Sequence, residues 1–387
     1  MAIEKPLAPV DIGPRTEEIE EKKVEIEVVN PEAVSVETPD GGMIIDFGKD
    51  EEELNPSFDD NLAEFIDEGE LEKMANDLLS NFESDKQSRS EWAKSYVKGL
   101  DLLGMKIEER QQPWAGSSGV FHPVLTESIV RFQAQAMGEI FPAQGPVRTK
   151  TVGKITREKT EQAKRVENEM NYLLTEEMTE YRDETEQMLF KLPLAGSAFK
   201  KVYYDPLLER PCAMFVPAED FVVSYGASDL MTCERYTHVM KKTQNEVLKL
   251  QNNGFYRDVE IPEPQPEYSD IQEKYDDLDG ESATLEDDDR HTLLEMHTDI
   301  ELPEPFEEED GIARPYVVTI EKSSRTILSI RRNFYEDDAK KKKRQFFVHY
   351  KYLPGLGFYG TGLIHLIGGL AKSATSILRQ LIDAGTL

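Results

Sequence analysis

The chain of 387 residues has only two cysteines, Cys212 and Cys233. Two are too few for a disulfide scaffold, and neither has a second Cys or a His at metal-ligand spacing. Both read as small buried thiols of a protein made and kept in a reducing cytoplasm. A secretory leader is also missing, because the N-terminal MAIEKPLAPV has no apolar core. Basic residues are scarce: 45 Lys and Arg stand against 76 Asp and Glu, a net charge of −31. Such a surface repels phosphates at long range and limits any DNA contact to local basic spots. Hydrophobic content is 39%, low for a fully packed protein, so part of the chain is expected to be unpacked. The one glycine-serine loop, Gly116-Ser117-Ser118-Gly119, lacks the lysine and the preceding strand that a phosphate-binding loop requires.

What is present is organised around the stretch from Pro354 to Leu387. A lead-in of Gly355, Gly357, Gly360 and Gly362 precedes a helical pattern. Leu363, Ile367, Leu370, Ala374, Ile377, Leu378, Leu381 and Ile382 recur at spacings of three and four, the period of a helix with one apolar stripe. Lys372, Arg379 and Gln380 interrupt the run, which excludes a membrane span. A helix this apolar must pack on the rest of the chain or on another copy of it.

Ahead of it the chain divides by composition. Residues 1–55 are rich in acid and proline and predict a disordered tail, whose MIIDF or VEIEVV segment could order on a partner. Residues 56–196 carry helical patterns. Phe65, Ile66, Leu71, Met74, Leu78 and Leu79 lie on one side of the first, and Trp92, Tyr96, Val97, Leu100 and Leu103 mark a second over about 85–104. Pro113 to Gly119 reads as an ordered loop anchored by Trp114, and Pro123 opens a helix where proline is tolerated. Residues 146–153 alternate at Val147, Thr149 and Thr151 and predict a short strand. Helices over 156–177 and 179–194 follow, the first with Ala163, Val166, Met170, Leu173 and Leu174 as its stripe. Over 197–353 the period changes to two, with Pro and Gly turns and a hairpin turn at Lys322 to Arg325. Gln244 to Asn252 predicts a short helix, and the acidic insertion 258–290 a long surface loop or partly ordered arm. The fold class is therefore α+β: a helical layer, an antiparallel strand region, and a long terminal helix over 354–387.

Three constellations have residue types that can carry chemistry. Glu286, Asp287, Asp288 and Asp289 with His291 and His297 suggest a divalent metal. The acids sit in one run, however, and the histidines are six apart on a predicted strand, too far to share an ion. Asp205, Asp220 and His238 with Ser224 or Ser197 suggest a triad, but no nucleophile elbow surrounds either serine. Lys340 to Arg344 is the only dense basic run, either a phosphate contact or a hairpin tip paired with Glu336, Asp337 and Asp338. No catalytic residue, metal or cofactor is assigned, and the chain is expected not to be an enzyme.

Several segments together resemble the large portal proteins of tailed double-stranded DNA bacteriophages, of the short-tailed type. PWAGSSGVFHPVLTESIVRFQAQAMGEIFPAQGPV is similar to their tryptophan loop and helix. LPLAGSAFKKVYYDP and FVPAEDFVVSYGASDLMTCERYTHVMKKT are similar to the strands of the wing, and LPGLGFYGTGLIHLIGGLAKSATSILRQLIDAGTL to the segment entering the stem. The resemblance implies a homo-oligomeric ring, usually a dodecamer, at one capsid vertex. Double-stranded DNA is packaged and ejected through it without sequence-specific binding. Terminase, scaffolding, capsid and tail adaptor proteins are the implied partners, and the virion, assembled in the host cytoplasm, is the implied location, with no membrane contact. Leu363, Ile364, Ile367, Leu370, Ile377 and Leu381 would pack between subunits. Lys372, Ser376 and Arg379 would face the channel, a neighbour, or merely solvent. The family continues beyond the first stem helix, so the sequence is expected to be a fragment or a split gene product. The competing readings are a metal-dependent phosphodiesterase or nuclease acting through the 286–310 acids with His291 or His297, and another virion structural protein.

Overall fold

Alternating burial from Ser197 onward builds two antiparallel sheets. The smaller joins β10 (Phe347–Lys351), β3 (Ser197–Asp205) and β4 (Arg210–Pro217) in that order. The larger runs β5 (Phe221–Val223), β6 (Arg235–Thr243), β7 (Arg290–Ile300), β8 (Arg314–Glu321) and β9 (Thr326–Arg332). The computed structural model describes residues 56–387 except 106–109, 113, 206–207, 266–267, 282–288, 308–310 and 387, together with two strands nearer the N-terminus. Those strands, β1 (Ser35–Glu37) and β2 (Met43–Ile45), pair antiparallel with Val36 opposite Ile44. The rest of the expected acidic tail, the VEIEVV segment included, lies outside the described residues.

The helices are α1 (Glu68–Ser88), α2 (Ser90–Leu100), α3 (Val124–Ile140), α4 (Arg157–Tyr172), α5 (Glu180–Ala195), α6 (Gln244–Asn252), α7 (Asp270–Asp279) and α8 (Leu363–Thr386). The fold is α+β and ends in a long helix, as the change of period predicts. The hairpin turn falls at 322–325, and α6 has the expected bounds because Thr243 and Glu246 form a reciprocal capping box at its start.

The two sheets meet face to face. Phe199 of β3 stacks on Phe221 of β5 with ring centroids 4.0 Å apart, and Phe347 of β10 meets Tyr236 of β6 edge-on at 5.6 Å. Among these rings the Lys201 ammonium reaches the Glu295 carboxylate at 2.5 Å. α6 covers the same face further along, where Val247 packs with Leu293 and Leu328. The opposite face of the larger sheet receives α1, whose Leu71, Ala75, Leu78 and Phe82 lie with Leu294, Met296, Val318 and Ile320. Each fully buried leucine there contributes about 2 kcal/mol. On the outside of the smaller sheet, Met188, Leu189 and Leu192 of α5 pack on Ala198 and Phe215, backed by Phe132 and Met137 of α3.

One expectation needs correction, and another takes a definite form. Residues 146–153 form no strand. The backbone of Val147 is paired by a side chain of α4 instead: Asn171 accepts its N–H at 2.9 Å and donates to its carbonyl at 3.1 Å. The alternation was real, but no second strand answers it. The 258–290 insertion contains a docked helix, α7. Ser269 caps it, and Ile271, Tyr275 and Leu278 give a narrow stripe at helical spacing that acidic composition hid. Tyr275 meets Tyr96 hydroxyl to hydroxyl at 2.8 Å.

The glycine lead-in to α8 crosses the α5–β3 junction at backbone distance. A Cβ on Gly196, which has φ +87°, would stand 2.4 Å from the Gly360 carbonyl oxygen and 2.5 Å from the Gly362 nitrogen. A Cβ on Gly360 would stand 2.2 Å from the Gly196 oxygen. The contact is closed by Gly360 N–H donating to Ser197 Oγ at 2.7 Å and Tyr352 N–H to the Gly196 carbonyl at 3.0 Å. Gly196→Ala is expected to cost on the order of 3 kcal/mol, through left-handed strain and the backbone clash together. Gly357→Ala, where nothing lies within 4 Å, should change stability by less than about 0.5 kcal/mol. Urea unfolding midpoints of the two variants check the contrast.

Candidate assembly surface

α8 divides into two faces. Inward, Leu363, Ile364, Ala371, Thr375 and Asp383 are buried and Ile367 packs on the main core. Gly99 of α2 makes room for Ile364: a Cβ there would lie 2.3 Å from Ile364 Cγ2. Polar contacts from the loop before α3 complete the attachment. Ser118 N–H donates to Asp383 Oδ1 at 2.7 Å, His122 N–H to Thr375 Oγ1 at 3.1 Å, and Arg379 Nε to the Val120 carbonyl at 2.8 Å. The Arg379 guanidinium also sits 4.4 Å from the Phe121 ring centroid. That loop is tied by Ser117, whose Oγ donates to the Gln112 carbonyl at 2.9 Å. Trp114, expected as its anchor, is 40% exposed; the hydroxyl and backbone bonds around Ser117 hold the turn instead.

Outward, Leu366, Leu370, Ile377 and Leu381 are 50%, 66%, 65% and 70% exposed. At 3.6 residues per turn they fall within about 60° of one another, a continuous apolar stripe. Of the six residues singled out in the sequence, then, Leu363, Ile364 and Ile367 pack inside the chain, while Leu370, Ile377 and Leu381 lie on the open face. Leu366 belongs with them and was missed, because its neighbours Ile364 and Ile367 obscured which face each residue serves. Lys372 and Ser376 are exposed on a different side of the helix, and Arg379 is turned onto the 119–121 loop. α4 presents a second open face. It has no buried side chain, and Val166 and Met170 of its expected stripe are exposed.

The constellations weighed for chemistry do not converge. His291 is buried between Gln244 and Glu321, and His297 between Glu295 and Asn333, each with its own partners. Asp289 is described and 286–288 are not. Among the described residues no group of three His, Cys, Asp or Glu side chains could hold a metal ion. Ser197 lies 3.1 Å from His349 Nε2 and accepts from Gly360, so its hydroxyl is a structural tie and has no part with His238. Among the described residues no helix is long and apolar enough to cross a membrane.

Comparison with known protein families matches residues 143–387, the segment that follows α3 and runs through both sheets to α8, with a phage portal protein family. No curated protein matches the chain. The family match makes the chain a phage portal protein, a component of the virion. The chain belongs to the phage SU10 portal protein family.

The buried charges between the sheets carry a pH signature. Burial lowers the His238 pKa from 6.5 to about 3. Burial also lowers that of His297, against the pull of Glu295. Burial by itself would raise the Glu295 pKa, but Lys201 and His297 outweigh it and hold the carboxyl well below its usual range. A histidine that resists protonation when folded favours the folded chain above the ordinary histidine range. That stability is lost as pH falls below about 6.5, since the unfolded chain then binds the extra protons. The urea midpoint should therefore fall between pH 7 and pH 5, and His238→Leu should flatten the fall; an equal slope in the variant would refute the assignment.

Proposed function

We propose that this chain is the repeating subunit of a cyclic, dodecameric assembly at one capsid vertex, through which double-stranded DNA is packaged and ejected. The observation that carries the reading is the open stripe of Leu366, Leu370, Ile377 and Leu381 on a helix already fastened to its own body. A face of that kind needs a second surface. In a ring that surface belongs to the next copy, in a head-to-tail contact that closes on itself. The exposed apolar residues of α4 supply a further contact in the same sense. Lys372 and Ser376, away from the stripe, face the channel or a neighbour.

The net charge of −31 suits a conduit. Tight DNA binding draws on counterion release at cationic contacts, and an acidic wall offers little of it, so the duplex slides without sticking. Terminase, scaffolding, capsid and tail adaptor proteins are the partners that this role requires. The chemistry of packaging is left to the terminase, and the portal ring itself catalyses nothing.

Native mass spectrometry and negative-stain images of the full chain test the reading, with rings around a central hole expected. Leu370→Asp combined with Ile377→Asp should release monomers while leaving the circular dichroism spectrum unchanged, because within one chain both side chains are already two-thirds exposed. The melting temperature should fall to that of the monomer as the stabilisation from assembly is lost. Rings that survive the double substitution would remove α8 from the subunit contact. A monodisperse wild-type monomer would remove the ring itself.

A further inference from the structure

The basic run that charge patterning singled out is a folded loop rather than a hairpin tip. The Asp338 carboxylate accepts the backbone N–H groups of Lys340 and Lys342, each at 3.0 Å, and Lys341 takes a left-handed φ of 46°. Lys343 turns inward, where its ammonium donates to the Cys233 carbonyl at 2.8 Å and stands 3.9 Å from Asp299. Lys340 and Lys342 remain exposed. Between this loop, residues 231–233 and residues 312–315 opens a cleft of about 400 Å³. Its apolar lining is unusually exposed: Met231 at 66% and Ile312 at 54%. No residue of α8 or α4 lines it.

We propose that this cleft docks a short acidic segment of another protein that carries an apolar side chain. The lysines supply the charge complement, and Met231 and Ile312 supply an adaptable apolar seat, methionine being the side chain best able to fit an irregular partner. Two observations favour a peptide over nucleic acid. A phosphodiester backbone gains nothing from Met231 and Ile312. Duplex DNA also brings one negative charge per about 1.7 Å of its axis against a chain of net charge −31, whereas a short segment brings a few carboxylates to a cleft lined by four lysines and an arginine. The lining itself is net positive: Arg314, Lys340, Lys341, Lys342 and Lys343 stand against one acid, Asp299, while Glu336, Asp337 and Asp338 do not line the cleft.

Fluorescence anisotropy on the full chain tests this with three labelled probes: a synthetic peptide alternating glutamate and leucine, its glutamate–serine counterpart, and a DNA duplex of arbitrary sequence. The glutamate–leucine peptide should bind, more weakly as salt rises. Lys340→Glu with Lys342→Glu should weaken it about tenfold, and Met231→Ser about threefold. All three residues are exposed, so an unchanged circular dichroism spectrum verifies that the variants fold. Equal binding of the serine peptide would overturn the apolar seat. Binding of the duplex in place of the peptides, abolished by the lysine reversals, would make the loop a phosphate contact. Peptide binding untouched by any of the substitutions, or no binding at all, would remove the cleft as a docking site.

Discussion

The arrangement depends on a backbone crossing that leaves no room for a side chain. Where α5 turns into β3 at Gly196, the returning chain passes at Gly360 to Gly362, and the two main chains approach within the space a methyl group would fill. The crossing decides where α8 begins. It also decides which way the helix leaves the sheets, because the smaller sheet is hydrogen-bonded to it through Ser197 and Tyr352. Glycine is required at these positions for two separate reasons. Gly196 needs both its left-handed backbone and its bare Cα, while Gly360 and Gly362 need only the absence of Cβ.

Around that crossing, side chains repeatedly do what backbone would otherwise do. Asn61 is buried beside β9, donating to the Leu328 carbonyl at 3.0 Å and accepting the Ile330 N–H at 2.9 Å, so a carboxamide closes what would be an open sheet edge. Asn171 treats Val147 in the same way. Arg89, at the break between α1 and α2, donates to the carbonyls of Ala218, Glu219 and Phe221 and to the Tyr359 hydroxyl. One guanidinium thereby joins the first helices, the turn before β5 and the lead-in to α8. A guanidinium can do this because its donors are fixed in a planar fork and it stays charged when half-buried.

These substitutions explain what could be read in advance. Element type followed from periodicity wherever the partner was a neighbour in the chain: the β8–β9 hairpin, α6 with its capping box, α5 with Gly196 after it. Reading failed where identity depended on a distant partner. The alternation at Val147, Thr149 and Thr151 is the same signal whether a strand or Asn171 stands opposite. The stripe of α7 was diluted by the acids around it, and the boundary between the first two helices, expected near 85, falls at Arg89, whose carbonyl partners lie about 130 residues away. On α8, spacing identified an apolar helix but could not divide Ile364 and Ile367 from Leu366 and Leu370. That division is set by Gly99 and by the loop before α3, neither of which has any periodic relation to the helix.

The fastening of α8 has an entropic consequence. Ser118, His122 and Arg379 hold the helix at three points along its length, so its roll about its own axis is set within one chain. The rotational freedom that a loosely tethered helix would surrender on meeting a partner has already been lost in folding. A contact made by the outward residues then spends little of its attraction on ordering α8 itself. A preorganised helix of this kind can hold a modest interface that the same four side chains on a swinging helix could not.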